Sequence, residues 1–347
     1  MTITEKILNG IQQAITEGGK VNIDLKEASV LTGSGDGKGG RTYFDDAFAA
    51  LRYANPFRMG ARQISVAGSS AQFVAKTGNA ASSTNPWTYT FTPDTGSPNT
   101  DTTIWQLPTR VLVAQLPVRS AVLSDVNYLN QTLVEDLMLE FSALEAQSMA
   151  SNNDQSGSTT TTTGSTNGLR GLNSYPGAAG ASAAYGSSGT AITNGRHTLR
   201  TIGHVSTSVD LESLMDMAGA LPAQYWNLPG TAWHMHPTYI TAIRKYAHNG
   251  TTGPYSLVET GEAGEGPAVN IMGWPVIANP YLDPTGTAGN FPVYLANWPR
   301  FMTIADVEEM SIQAMEQSSP GFITLFAQKR MVSSVRDPFA GVRLIET

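Results

Sequence analysis

The sequence predicts a mixed α+β chain. Strand-like segments gather between residues 57 and 117 and again beyond 271, one long helical pattern at 125–149 divides them, and no regular βαβ repeat links the two. At 347 residues the chain can bury a large core as one elaborate domain or two interleaved ones.

Residues 1–30 carry a short helical pattern (Ile3, Ile7, Leu8, Ile11, Ile15), and Gly33 to Gly40 reads as a flexible joint, so this part is expected to be an arm. Tyr43 to Ala54 predicts a short amphipathic helix stopped at Asn55-Pro56, because proline disfavours helical geometry in the residue before it. From Phe57 the period changes. Gln63–Val66, Gln72–Lys76, Trp87–Phe91 and Arg110–Val113 predict strands, separated by Gly, Pro, Asn and Thr clusters.

Asp125 to Met149 repeats Val126, Leu129, Leu133, Leu137, Phe141 and Leu144 at three- and four-residue steps, which predicts a long one-faced helix with Ser124 as its cap. The polar run Ser151 to Thr166 reads as an exposed loop. Asp210 to Leu221 predicts a second helix with Leu211, Leu214, Met215 and Ala218 inward. Gly230 to Tyr246 reads as a strand entering a helix with Pro237 at its first position. Ile271–Ala278, Pro292–Ala305, Met310–Ala314 and Phe322–Val335 predict further strands.

Composition narrows the function. Charged residues make up 14% of the chain, well below the ~25% of ordinary soluble domains, so much of the surface is expected to be covered by subunit contacts. No cysteine is present, which excludes disulfides, thiolate metal sites and a cysteine nucleophile. The formal net charge of -7 and the lack of Lys/Arg clusters argue against a nucleic-acid reader. The first twenty residues lack a signal-peptide core and no run approaches a membrane span, so a cytoplasmic product without membrane contact is expected.

Gly35, Gly37 and Gly40 match a dinucleotide-loop spacing, but no apolar strand precedes them, and a joint is the better reading. His234 and His236 would lie on one side of a strand, a spacing a metal can use, although no carboxylate is near in sequence and His236 stands where a helix cap would. Glu135, Asp136, Glu140 and Glu145 fall on the non-apolar side of the long helix, where a solvated or partner-facing surface is the ordinary explanation. No hydrolase signature occurs, so no catalytic, cofactor or metal residue is assigned and no enzyme is expected.

The order of parts, an arm, a long hairpin, one long helix and a mixed compact region, resembles the Hong Kong 97 capsid family. Leu107 to Val118 followed by the 125–149 helix is similar to the family's strand returning from its extension loop into the spine helix. Gly168–Asn173, Trp233–Tyr246, Asn270–Ile277 and the pair Val293–Ile304 and Phe322–Arg336, closed by Asp337-Pro338-Phe339, resemble later family segments; together the likeness covers 57–347.

The resemblance implies this division: arm and short helix at 1–56, extension loop at 57–117, peripheral domain with spine helix and polar loop at 118–205, axial domain at 206–315, and return strands of the peripheral domain at 316–347. It implies a major capsid protein forming hexamers and pentamers of an icosahedral phage head around double-stranded DNA. Assembly in the bacterial cytoplasm would use a separate scaffold protein or a scaffold segment already removed, with a portal and a decoration protein as further partners. The founding member's Lys–Asn crosslink is not carried over, since no asparagine follows Asn297. Expected contacts between subunits join Arg58, Arg62, Arg110 and Arg119 of the extension loop to a neighbour's Glu135, Asp136, Glu140 and Glu145. An encapsulin-type compartment with the same fold and a β-rich tail or adhesin protein are the alternatives.

Overall fold

The computed structural model describes residues 54–76, 102–119, 129–154, 168–177, 180–186, 195–205, 211–248, 258–260, 269–319 and 322–347, all within the unit Leu51–Thr347. The expected arm, the glycine joint, nearly all of the 43–54 helix, the Trp87 strand, the 155–166 part of the polar loop and the Ser124 cap lie outside these residues.

Three sheets organise the described chain. The first is a two-stranded hairpin of β2 (Ser70–Lys76) and β3 (Thr102–Pro108), in register from Ser70 opposite Pro108 to Lys76 opposite Thr102. Its alternation sends Ala71, Phe73, Ala75, Trp105 and Leu107 into a small core and leaves Val74 and Ile104, a directly opposed pair, 59% and 57% exposed.

The second sheet has the order β1-β11-β12-β4. β1 (Arg62–Ser65) runs parallel to β11 (Met302–Ser319), which folds back antiparallel on β12 (Phe322–Val335), and β4 (Arg110–Arg119) closes the edge against β12. Helix α1 (Phe57–Gly60) enters β1, and α2 (Leu129–Ala150) packs Phe141 over Ala327, Leu112 and Ala114 of this sheet.

The third sheet is seven-stranded, in the order β5-β13-β10-β6-β9-β8-β7. Its strands are β5 (Arg200–His204), β6 (Thr231–Met235), β7 (Val258–Thr260), β8 (Val269–Ile271), β9 (Trp274–Ala278), β10 (Val293–Asn297) and β13 (Gly341–Glu346). β6 and β10 are buried at every position, as befits neighbouring inner strands. Helix α3 (Leu211–Ala220) adds Leu214, Met217 and Ala218 to the main core, and α4 (Pro237–His248) adds Tyr239 and Ile243.

Several expectations need correction. The 292–305 run is two strands: α5 (Trp298–Phe301), with Pro299 in its first turn, breaks it and turns the chain from the seven-stranded sheet into the four-stranded one. The apolar residues continue through the turn because Trp298 and Phe301 are themselves core residues, so the pattern hides the break. On α3, Met215 is 41% exposed and Met217 takes the inward place. On α2, Leu144 is 41% exposed whereas Glu145 is buried, the reverse of the periodic reading. β13 is not singled out by periodicity at all, yet it stands between β5 and β10.

Candidate functional site

Among the described residues, two of the candidate contact residues, Arg58 and Glu145, meet inside the chain. The Glu145 carboxylate is 1% exposed and receives the Arg58 Nε, the Lys329 Nζ at 2.8 Å and the Asn55 Nδ2 at 2.8 Å. Arg58 also forks onto Asp306, with Nη1 and Nη2 donating to its two carboxylate oxygens at 2.9 and 2.7 Å. Four segments are tied here: the turn at Asn55–Arg58, helix α2, β11 and β12. Burial pulls the Arg58 guanidinium down, but its hydrogen bonds to Asp306 and Glu145 and their charges outweigh that and leave its pKa above the ordinary value.

Thus Arg58 and Glu145, expected to face different subunits, meet within one chain. Asn55, Asp306 and Lys329 complete the cluster and carry no sequence signal of their own, although an acid directly after the apolar run Met302–Ala305 is a hint. Arg62 is exposed on β1, Arg110 is half-buried opposite Met331, and Arg119 stands at the end of β4 opposite Phe322. Glu140 is half-buried on α2, and Glu135 and Asp136 lie on the same helix, their side chains outside the described set.

The two histidines, whose spacing a metal could use, are not a pair in the structure. His234 is fully buried, stacked on Phe57 at 5.5 Å and against Trp298 at 3.9 Å. His236 lies past the end of β6, where its Nδ1 accepts from the Thr238 backbone N–H at 3.2 Å and caps α4. Among the described residues no three His, Asp or Glu side chains gather as a metal site. No described helix is long and apolar enough to cross a membrane.

His197 holds a second buried position, edge-on to Trp105 at 4.8 Å and to Tyr185 at 5.4 Å. Burial holds the His234 pKa down to about 3, and burial with the nearby Arg170 charge does the same for His197. Both are neutral when folded, whereas the unfolded chain protonates them near 6.5. Their contribution is therefore complete above that pH and is lost as pH falls from about 6.5 toward about 3. Urea midpoints measured across this range should fall steadily, and the fall should be shallower in His234→Phe; a midpoint flat from neutral pH to 4 contradicts this.

No protein-family profile matches the sequence, and no curated protein matches it. Solved structures do match. The capsid of a native GTA particle is similar with a TM-score of 0.67 at 16% identity, covering 94% of this chain and 100% of that one. Microbacterium phage Oxtober96 follows with a TM-score of 0.58 at 10% identity, over 94% and 100% of the two chains. The chain has a phage capsid protein fold. The capsid fold is shared with the SrpI encapsulin of Synechococcus elongatus, at a TM-score of 0.52 and 10% identity, over 94% of this chain and 96% of that one.

In this capsid fold the Glu145 cluster is a structural clamp. It combines charge, hydrogen bonds and burial, and what it holds is the relation of helix α2 to the sheet.

Proposed function

We propose that this chain is the major capsid protein of a tailed phage, a Hong Kong 97-type shell subunit that assembles as hexamers and pentamers around double-stranded DNA. The observation that carries this reading is the likeness to a capsid chain over 94% of this chain and the whole of the other, from a particle computed with C5 symmetry. The surface supports it. The β2–β3 hairpin exposes Val74 and Ile104 on one face, and the edge strand β4 exposes Val111 and Val113. A two-stranded ribbon is marginal in water, and an open edge invites another strand, so both features favour a neighbouring subunit as cover. In this reading the hairpin lies within the extension loop, α2 is the spine helix, and Arg62, Arg110 and Arg119 remain the candidates for contacts to a neighbour's acidic helix side.

Purified protein, alone or with its scaffold, should form rings or closed shells in negative-stain micrographs. Monomers at high concentration in light scattering would overturn the reading. Particles that protect protein cargo and contain no DNA when isolated from infected cells would favour the encapsulin-type compartment.

A further inference from the structure

Three arginines converge where α5 joins the four-stranded sheet. Arg62 opens β1 in register with Thr303. Arg300 lies in α5 just before β11, and Arg336 follows Val335, which pairs with Met302. The Arg336 backbone N–H donates to the Phe301 carbonyl at 2.8 Å, which fixes it beside α5. Arg62 and Arg300 are exposed and Arg336 is half-buried. Among the described residues, none of the three forms an ion pair. Asp337, the adjacent acid, is engaged by the Tyr225 hydroxyl at 2.6 Å and the Phe339 N–H at 3.0 Å. Burial, then the charges of Arg62 and Arg300, hold the Arg336 pKa below its ordinary value, as mutual repulsion requires. Beside Arg300 a hollow of about 370 Å³ opens, lined also by Leu228, Pro229, Gly230, Asn297 and Pro299.

We propose that Arg62, Arg300 and Arg336 form a carboxylate-receiving corner that docks the acidic side of helix α2 of a second copy of this chain. The proposal rests on the shell reading and adds to it two residues, Arg300 and Arg336. Charge complementarity selects the occupant. The chain carries 28 acidic against 21 basic residues, so a second copy brings a surplus of acid. Helix α2 contains Glu135, Asp136, Glu140 and Glu145 and no basic residue. Glu145 is neutralised inside its own chain, so the proposed contact falls to the acids earlier on the helix, Glu135 and Asp136. Three like charges held together in the free subunit repel one another, and a partner's carboxylates relieve that repulsion only on assembly.

The test is the double variant Arg62→Glu with Arg300→Glu, compared with the parent at roughly 150 mM salt and at higher ionic strength. Its circular dichroism should match the parent's while particle yield falls by about tenfold or more. Adding Glu135→Arg with Asp136→Arg should restore part of the yield. A double variant that assembles like the parent, or a loss that the charge swap leaves untouched, overturns the proposal while the shell reading stands. A parent that forms no particle overturns both. A duplex of roughly 30 base pairs bound by parent subunits through this corner, lost in Arg300→Glu with assembly unchanged, would assign the corner to nucleic acid and overturn it as well.

Discussion

Glu145→Ala should lower the stability of the isolated chain by about 3–5 kcal/mol, read as a fall in the urea midpoint. The carboxylate is 1% exposed, and its partners are largely withdrawn from water, with the Arg58 and Lys329 side chains 22% and 17% exposed. Removing the acid strands two cations whose hydration has already been given up, and Asn55 loses an acceptor as well. Arg58 keeps its fork on Asp306, so its loss is partial. Lys329 can turn outward to water, which holds the cost at the lower end of the range. Glu145→Gln keeps the shape and still forfeits the charge, so it should fall between parent and alanine. A midpoint unchanged in both variants would mean that the cluster gains no more on folding than it loses in hydration.

Trp105→Ala should cost a similar amount, about 3–5 kcal/mol, and should act first on the hairpin. The indole is 1% exposed, stacks on Phe73 at 5.6 Å, meets His197 edge-on and donates its Nε1–H to the Ser334 hydroxyl at 3.3 Å. These contacts seat a two-stranded ribbon that has little stability of its own. Brief protease treatment should cut the variant within β2 or β3 faster than the parent, before the rest of the chain unfolds. Gly195→Ala should reproduce this from the other side. A Cβ there would lie 2.1 Å from the Trp105 ring, and the backbone at φ +71 already disfavours a side chain. Equal cutting rates in parent and Trp105→Ala would place the hairpin's support elsewhere.

The elements that sequence predicts well have a local cause. Helix α2 follows from repeated three- and four-residue spacing, and α4 from Pro237 after a short apolar strand with His236 as cap. What it predicts poorly depends on partners far along the chain. Glu145 reads as a surface acid because Arg58 and Lys329 lie 87 and 184 residues away, and only the fold brings them to it. β13 lacks alternation because a strand flanked on both sides within a covered sheet needs none. The candidate arginines follow the same rule. Arg58 turns inward to acids that chain order does not reveal, whereas the corner at Arg62 emerges only when β1 pairs in parallel with β11 and brings Arg300 and Arg336 alongside.

The place of β13 also sets a timetable for synthesis. Arg343 of this strand reaches Thr201 of β5 across 142 residues of chain, and on its other side β13 pairs with β10. Until the ribosome has released residues 341–346, β5 and β10 each present an open edge, and the six other described strands of the sheet are already made. Such late, long-range closure is slow, and open edges are where nascent chains join wrongly. In the proposed shell the nascent chain would have to be kept from its neighbours until that strand is inserted, and assembly would begin only from chains that have completed it.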